Sequence, residues 1–472
     1  MERFLGRDRE FSTLQELYNK NSFQMLVIYG RRRVGKTALI NRFIKKNKCK
    51  AVSFVGTEMA ESELVSRMGQ DVLESLAPSL SGKIKFESFD AIFDFIGEAA
   101  GKEKIIFVID EYPYLAKSCP YMNSLLQKYI DHQWKNTNLY FVLLGSIISF
   151  MREEVLGQNA PLHGRASLEL KLNPFDYRES SFFVPAYKAE EKAVVYGLTG
   201  GVAKYLEQFD DSLSLDENIE RLFFSESAFF SDEQIKTVIT GEKSNPVAYN
   251  SIIAAIAGGK TKYNEIQSET GMSDISFCLK NLMAAEIVER RESPKPYYRI
   301  ADSMVNFYFR YVLPGASLIN SGRGKLYYQK KVKPNLHEFM GSVFEEMAKD
   351  YILSNVGTKK VPAFVTDIVE YQNSVKIGKE IKSIEIDLLG LDGKKIVLAG
   401  ECKFKSEKFD KEDLENFAEK LNHLPAANVK SMLFSLSGFT DYVQKNAKDF
   451  TLVSLEEMYC DLCMRLPGQA GQ

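Results

Sequence analysis

The chain has 472 residues, 45% of them hydrophobic and 26% charged, a composition that suits packed globular domains and excludes a disordered or fibrous protein. Sixty-one Lys plus Arg against 63 Asp plus Glu leave a formal net charge of -2, so no global basic field draws this protein to nucleic acid, and any such contact needs a local patch. No signal core follows Met1 and no run of about 18 apolar residues occurs, which excludes a membrane span and predicts a cytoplasmic location. Six cysteines, at 49, 119, 278, 402, 460 and 463, form neither a secreted disulfide framework nor two spaced metal-binding pairs. Cys460-x-x-Cys463 stands alone and is read as packing of a terminal helix.

Up to about residue 170, short apolar runs alternate with amphipathic patterns. Gln24 to Tyr29, Ala51 to Phe54, Ile105 to Ile109 and Leu139 to Leu144 are continuous in apolar residues, as parallel strands covered on both faces are. The expected fold is therefore multidomain α/β, opening on a parallel sheet. The first strand runs into Gly30-Arg31-Arg32-Arg33-Val34-Gly35-Lys36-Thr37, and a helix over Ala38 to Lys45 follows. Glycines at both ends let backbone N–H groups curl around phosphates, and the helix N-terminus adds partial positive charge. Lys36 is placed to reach the β- and γ-phosphates and Thr37 to ligate magnesium, which makes ATP and Mg2+ the expected ligands.

The strand ending at Ile109 continues into Asp110-Glu111. Asp110 is expected to hold the metal, directly or through water, and Glu111 to orient the attacking water. The strand Tyr140 to Leu144 brings Gly145-Ser146 to the same carboxyl edge, where Ser146 is a candidate γ-phosphate sensor and a plain turn is the alternative.

These residues together resemble the prokaryotic AAA-type ATPases related to the STAND group, many of which carry a further C-terminal domain. The resemblance runs from Phe4-Leu5-Gly6-Arg7-Asp8-Arg9-Glu10, similar to that family's Gly-Arg-acidic opening near the adenine, to Pro161-Leu162-His163-Gly164-Arg165. It implies an arginine-finger role for Arg165 at the γ-phosphate, with a solvated surface arginine as the alternative. The family's Gly-Gly-x-Pro segment corresponds to Gly200-Gly201-Val202-Ala203, with alanine where proline is usual.

From Pro174 to about Phe230 the pattern is helical and reads as a lid, giving an ATPase domain over residues 1–235. Thr240 to Pro246 is a linker candidate. Over 247–312 three helices and a charged hairpin, Arg290 to Pro296, form a winged-helix pattern. Its third helix is expected from a Ser273 cap to about Ala285, with Ile275, Leu279 and Leu282 inward and Ser276, Lys280 and Asn281 outward. Arg290, Arg291, Lys295 and Arg299 are candidate phosphate contacts, which would make DNA a partner; docking of a protein or domain is the equal alternative. Asn320 to Pro334, rich in Gly, Lys and Tyr, reads as a second linker.

The last domain spans 335–466. Ile384-Glu385-Ile386-Asp387 and Gly400-Glu401-Cys402-Lys403, with Glu345 on an upstream helix, resemble the PD-(D/E)xK nuclease core. That resemblance implies magnesium held by Asp387 and Glu401 beside a scissile phosphate, with Lys403 and Glu345 completing the site. A turn at Asp392-Gly393 would leave Asp387 facing away from Glu401 unless a longer loop or a bulge intervenes. The leading expectation is an ATP-driven enzyme acting on DNA through a nuclease-like domain. The alternative is a nucleotide-switched interaction protein whose nuclease-like domain is inert, and an oligomer is compatible with both.

Overall fold

The computed structural model describes residues 5–230, 246–292, 296–377 and 380–460. The chain divides into two compact units: the residues up to Pro174 with Val202–Lys204, and Phe175–Gly201 with the chain from Tyr205 onward. The helical stretch after Pro174, expected as a lid of the first domain, thus groups by its contacts with the later chain. Among the described residues no helix is long and apolar enough to cross a membrane.

In the first unit, α1 (Asp8–Tyr18) precedes β1 (Gln24–Tyr29), α2 (Lys36–Asn47), β2 (Lys50–Val55), α3 (Glu61–Leu76), α4 (Phe89–Lys102), β3 (Ile105–Asp110), α5 (Tyr112–Ser118), α6 (Met122–His132), β4 (Leu139–Gly145) and β5 (Leu168–Lys171). The strands form one parallel sheet in the order β2-β3-β4-β1-β5, with β5 added to the four expected strands. Their continuous apolar runs follow from burial on both faces. Met25, Val27, Phe107, Ile109 and Phe141 join one core with α3, α4 and α6, while Leu26, Ile28, Ile106, Val108 and Val142 join the other with α1 and α2.

In the second unit, α7 (Ala189–Thr199) and α8 (Leu215–Phe223) precede α9 (Pro246–Ala257), α10 (Tyr263–Thr270), α11 (Ser276–Ala284) and an antiparallel ribbon of β6 (Val288–Arg291) with β7 (Tyr297–Ile300). Helix α11 starts later than expected. Asp274, not Ser273, supplies the carboxylate that accepts from Ser276 N at 2.9 Å. Ile275, Leu279 and Leu282 are buried, and Ser276 and Lys280 are exposed.

Asn320 to Pro334 is a packed helical run, which corrects its reading as a linker. Ile319, Tyr328 and Val332 are buried, Tyr328 Oη donates to Asp216 at 2.6 Å, and a Cβ on Gly324 would lie 1.8 Å from the Phe224 carbonyl oxygen. The glycine and tyrosines suggestive of a loop serve close helix packing. Thr240 to Asn245, Lys295 and Cys463 lie outside the described residues.

Helix α12 (Leu336–Asn355) leads to β8 (Asp367–Ile377), β9 (Glu380–Asp392), β10 (Lys395–Lys403), α13 (Lys411–Leu421), β11 (Lys430–Ser435), α14 (Asp441–Asn446), β12 (Phe450–Ser454) and α15 (Leu455–Cys460). The sheet order is β12-β11-β10-β9-β8; β8, β9 and β10 run antiparallel, and β10, β11 and β12 run parallel. The β9–β10 turn is Gly393-Lys394, one residue later than expected, with Asp392 opposite Lys395 and Gly393 at φ 60.

Phe107 stacks on Phe141 and meets Trp134 edge-on in the first unit, and Trp134 is the chain's single tryptophan. Phe107→Ala should therefore destabilise this unit by about 3–5 kcal/mol. Trp134 fluorescence during denaturant unfolding reads the loss directly; an unchanged midpoint would contradict the packing described.

Candidate functional site

Three strand ends meet at the carboxyl edge of the parallel sheet. β1 leaves through Gly30 at φ 156, and a Cβ there would sit 2.3 Å from the Leu172 carbonyl oxygen, so only glycine fits. The loop closes at Gly35, φ 99, which starts α2. Lys36 is buried, and its ammonium donates to the Gly30 and Arg31 carbonyls at 2.8 and 2.9 Å. Burial pushes its pKa down to about 8, against the opposing pull of the Glu111 and Asp110 charges.

Thr37 Oγ1 donates to Asp110 Oδ2 at 2.6 Å, which joins the start of α2 to the end of β3. Thr37 and Asp110 would hold a hard cation such as magnesium, which would supply positive charge to the phosphates of a bound nucleotide. Asp110 Oδ1 also accepts from Glu111 N at 2.8 Å. Glu111 has the left-handed φ of 49, a strained conformation that functional sites retain, and its Oε2 accepts from Ser146 Oγ at 2.5 Å. Ser146 thus pairs with the carboxylate expected to orient water.

Sequence reasoning placed Arg7 near the base but missed its bonds to the loop. Arg7 is 4% exposed and donates to the Val34 carbonyl at 3.2 Å, the Asn173 carbonyl at 2.7 Å and Glu10 at 3.1 Å. Val202–Lys204 also packs here, with Lys204 N donating to the Arg33 carbonyl at 3.2 Å. Arg32 contacts the Tyr114 hydroxyl.

Arg165 requires a correction. It donates to both oxygens of Asp131, at 2.9 and 2.7 Å, and to the Pro161 carbonyl at 2.9 Å. Two residues later Ser167 N donates to the Met25 carbonyl, near the start of β1, whereas the phosphate loop leaves its end. Gly30 lies five residue steps beyond Met25, roughly 16 Å along the strand. Arg165 therefore lies at the amino edge of the sheet, away from the phosphate loop of its own chain, where it ties α6 to the start of β5.

In the second unit the register of β9 and β10 shifts between Ile396 and Leu398, leaving Val397 as an extra residue. Before the shift Leu391 faces Ile396; after it Gly390 faces Leu398 and Leu388 faces Gly400, so the next pair is Asp387 with Glu401. This bulge turns both carboxylates to one face. Asp387 Oδ2 accepts from Cys402 N at 2.8 Å. Glu401 is 3% exposed and accepts from Lys403 Nζ at 2.7 Å.

Burial, then the Glu401 charge, pushes the Asp387 carboxyl up; burial, then the Asp387 charge, pushes Glu345 up to about 8. Glu345, Asp387, Glu401 and Lys403 thus share one electrostatic neighbourhood. Among the described residues no three or more His, Cys, Asp or Glu side chains are arranged to hold a metal ion. Two carboxylates still suit magnesium, which keeps several waters. Sequence reasoning missed Lys420 on α13, which donates to both oxygens of Glu401, at 2.8 and 2.9 Å.

The ribbon β6–β7 departs from expectation. Arg291 donates to Glu289 at 2.8 Å and to Glu346 at 2.9 Å; Arg299 pairs with Glu289 and donates to Glu346 at 2.7 Å. Arg290 sits 3.5 Å from Glu292. The expected phosphate contacts Arg290, Arg291 and Arg299 are therefore matched by carboxylates, one of them from α12.

Three measurements test these geometries. Lys36→Ala should abolish ATP turnover and Glu111→Gln should retain ATP binding without hydrolysis; ATP affinity should hold below pH 8 and weaken above it, as the neutral amine must take up a proton. Calorimetry across that range reads the effect, and a flat profile would contradict it. Glu346→Ala should destabilise the second unit by about 1–2 kcal/mol, because two arginines then share Glu289 alone. Thermal melts of Glu346→Ala and Arg299→Ala, singly and combined, should give less than additive losses.

A family model described as an ATPase domain predominantly from Archaea matches residues 4–209. A second, of archaeal and bacterial proteins of unknown function, matches 308–416. An uncharacterized protein of Methanocaldococcus jannaschii is 32% identical over 420 residues, covering 86% of this chain and 88% of its own length. An ATP-binding protein of the same organism is 42% identical over 50 residues, 11% of this chain and 85% of its own. The Walker-type ATPase of Pyrococcus abyssi is similar in structure, with a TM-score of 0.52, 20% identity, and coverage of 65% of this chain and 96% of its own. The phosphate loop at the sheet edge and these matches agree: the chain is a P-loop ATPase and belongs to the family of the Methanocaldococcus jannaschii protein that it matches over 420 residues.

Proposed function

We propose that this ATPase acts on DNA and that the sheet from β8 to β12 is a magnesium-dependent nuclease-like domain of the PD-(D/E)xK kind. The observation that carries this reading is the bulge at Val397, which sets Asp387 opposite Glu401 while Lys403 contacts Glu401. Asp387 and Glu401 would hold magnesium, which supplies positive charge to the attacking and leaving oxygens. The Cys402 amide orients Asp387, and Lys403 holds Glu401 and can donate to a developing phosphate charge. At the phosphate loop, Lys36 and the Thr37–Asp110 pair would hold ATP and its magnesium, and Glu111 would orient water.

A second reading is favoured by one observation. The ribbon's Arg291 and Arg299 are matched by Glu289 and Glu346, which supports the helices and ribbon over 246–300 as an inter-domain docking module and not a phosphate clamp. On this reading the protein is a nucleotide-switched interaction module and the nuclease-like domain is inert.

Plasmid nicking separates the two readings. With magnesium, the wild-type chain should nick DNA, and Asp387→Ala and Lys403→Ala should lose nicking by about a hundredfold or more while ATP hydrolysis persists. Absence of nicking by wild type, or equal nicking by the Asp387→Ala chain, would leave the interaction reading.

A further inference from the structure

The Asp-x(13)-Glu-x-Lys pattern accounts for one lysine beside Glu401, and the fold brings a second. Glu401 is 3% exposed, so its ionised form requires compensating charge. Lys403, two residues away on the same strand, donates only to Oε1, at 2.7 Å. Lys420 reaches over from α13 and spans both oxygens, at 2.8 and 2.9 Å. The two lysines and Glu401 line a cleft of about 270 Å³ together with Asp413, Asn416 and Glu419 of α13, and Asp413 is already paired with Lys405.

The lysines differ in freedom. Lys403 comes from the same strand as Glu401 and meets Oε1 alone, so by itself it leaves Oε2 open to a cation. Lys420 stands on another element, with a flexible four-carbon stem and a compact charge. While its ammonium occupies both oxygens of Glu401, a divalent cation meets a blocked ligand and a like charge. A phosphodiester entering the cleft reverses both effects, because it offers the ammonium a new anionic partner and adds negative charge beside the carboxylates.

We infer that Lys420 is an internal counter-ion that holds Glu401 shut to divalent cations, and that it passes to a nonbridging phosphate oxygen when cation and phosphodiester bind together. The inference rests on the nuclease-like reading of this site and adds to it an order: cation and nucleic acid enter cooperatively, through one positioning residue outside the motif.

Titration of the full chain with manganese at pH 7.5 tests this, with Glu401→Gln identifying the heat that belongs to the site. Lys420→Met should tighten the Glu401-dependent manganese site by about tenfold, since a like charge and a competing partner are removed together. Misfolding would weaken a cation site, so a gain of affinity cannot come from structural damage. Lys420→Arg, which restores the charge, should return affinity to the wild-type level, and Lys420→Gln should repeat the gain if Lys420→Met does not fold. A short DNA duplex should tighten manganese binding by the wild type and leave the Lys420→Met chain unchanged. Equal or weaker manganese affinity in both neutral variants overturns the inference while leaving a Glu401 cation site standing. Identical titrations of wild type and Glu401→Gln would overturn both the inference and the metal-dependent reading. Tighter manganese binding without nicking would sustain the role of Lys420 and overturn nuclease action alone.

Discussion

A single unpaired residue, Val397, governs the geometry of the second unit's site. In an antiparallel pair the side chains alternate, so a change of register by one residue exchanges the faces of everything beyond it. The β9–β10 turn at Gly393-Lys394 alone would set Asp387 opposite Gly400, on the face away from Glu401. The bulge restores the pairing and leaves Asp387 opposite Glu401, with the Cys402 amide donating to Asp387. The Asp387 charge that adds to burial in raising Glu345 reaches Glu401 through that pairing. In the first unit the corresponding constraint is covalently simpler: Gly30 passes within contact distance of the Leu172 carbonyl, and the phosphate loop takes its shape from that close approach.

Several arginines of this protein are matched by carboxylates of the same chain. The near-neutral balance of the chain is repeated at the level of individual sites, where arginines that look available in sequence meet carboxylates in space. Arg165 is held by Asp131, and Arg291 and Arg299 share Glu289 and Glu346. Such partly buried pairs fix geometry more than they add stability. They make the ribbon β6–β7 part of the scaffold around α12.

Legibility in the sequence followed the range of the interactions involved. The parallel strands were readable because burial on both faces writes a continuous apolar run, and the phosphate loop because its glycines, lysine and threonine are contiguous. The sites of the second unit were readable as residue types and not as geometry. A bulge is one residue in a strand that otherwise looks regular, and Val397 has no composition that marks it. Lys420 sits on a charged amphipathic helix like any solvated lysine, and its contact with Glu401 is set by the β10–α13 crossover. Glu346 neutralises arginines 47 and 55 positions away, beyond any local pattern. The run from Asn320 to Pro334 was misread because glycine and lysine mark loops, whereas here Gly324 permits a close helix contact and Tyr328 is buried.

Helix α12 places two adjacent carboxylates in different company: Glu345 with Asp387, and Glu346 with Arg291 and Arg299. Successive residues on a helix point about 100° apart, so their directions are locked to one another. No rotation or slippage of α12 can improve one setting without spoiling the other. Loss of the ribbon's arginines would therefore reach the carboxylate cluster without touching it, through the one helix whose backbone serves both.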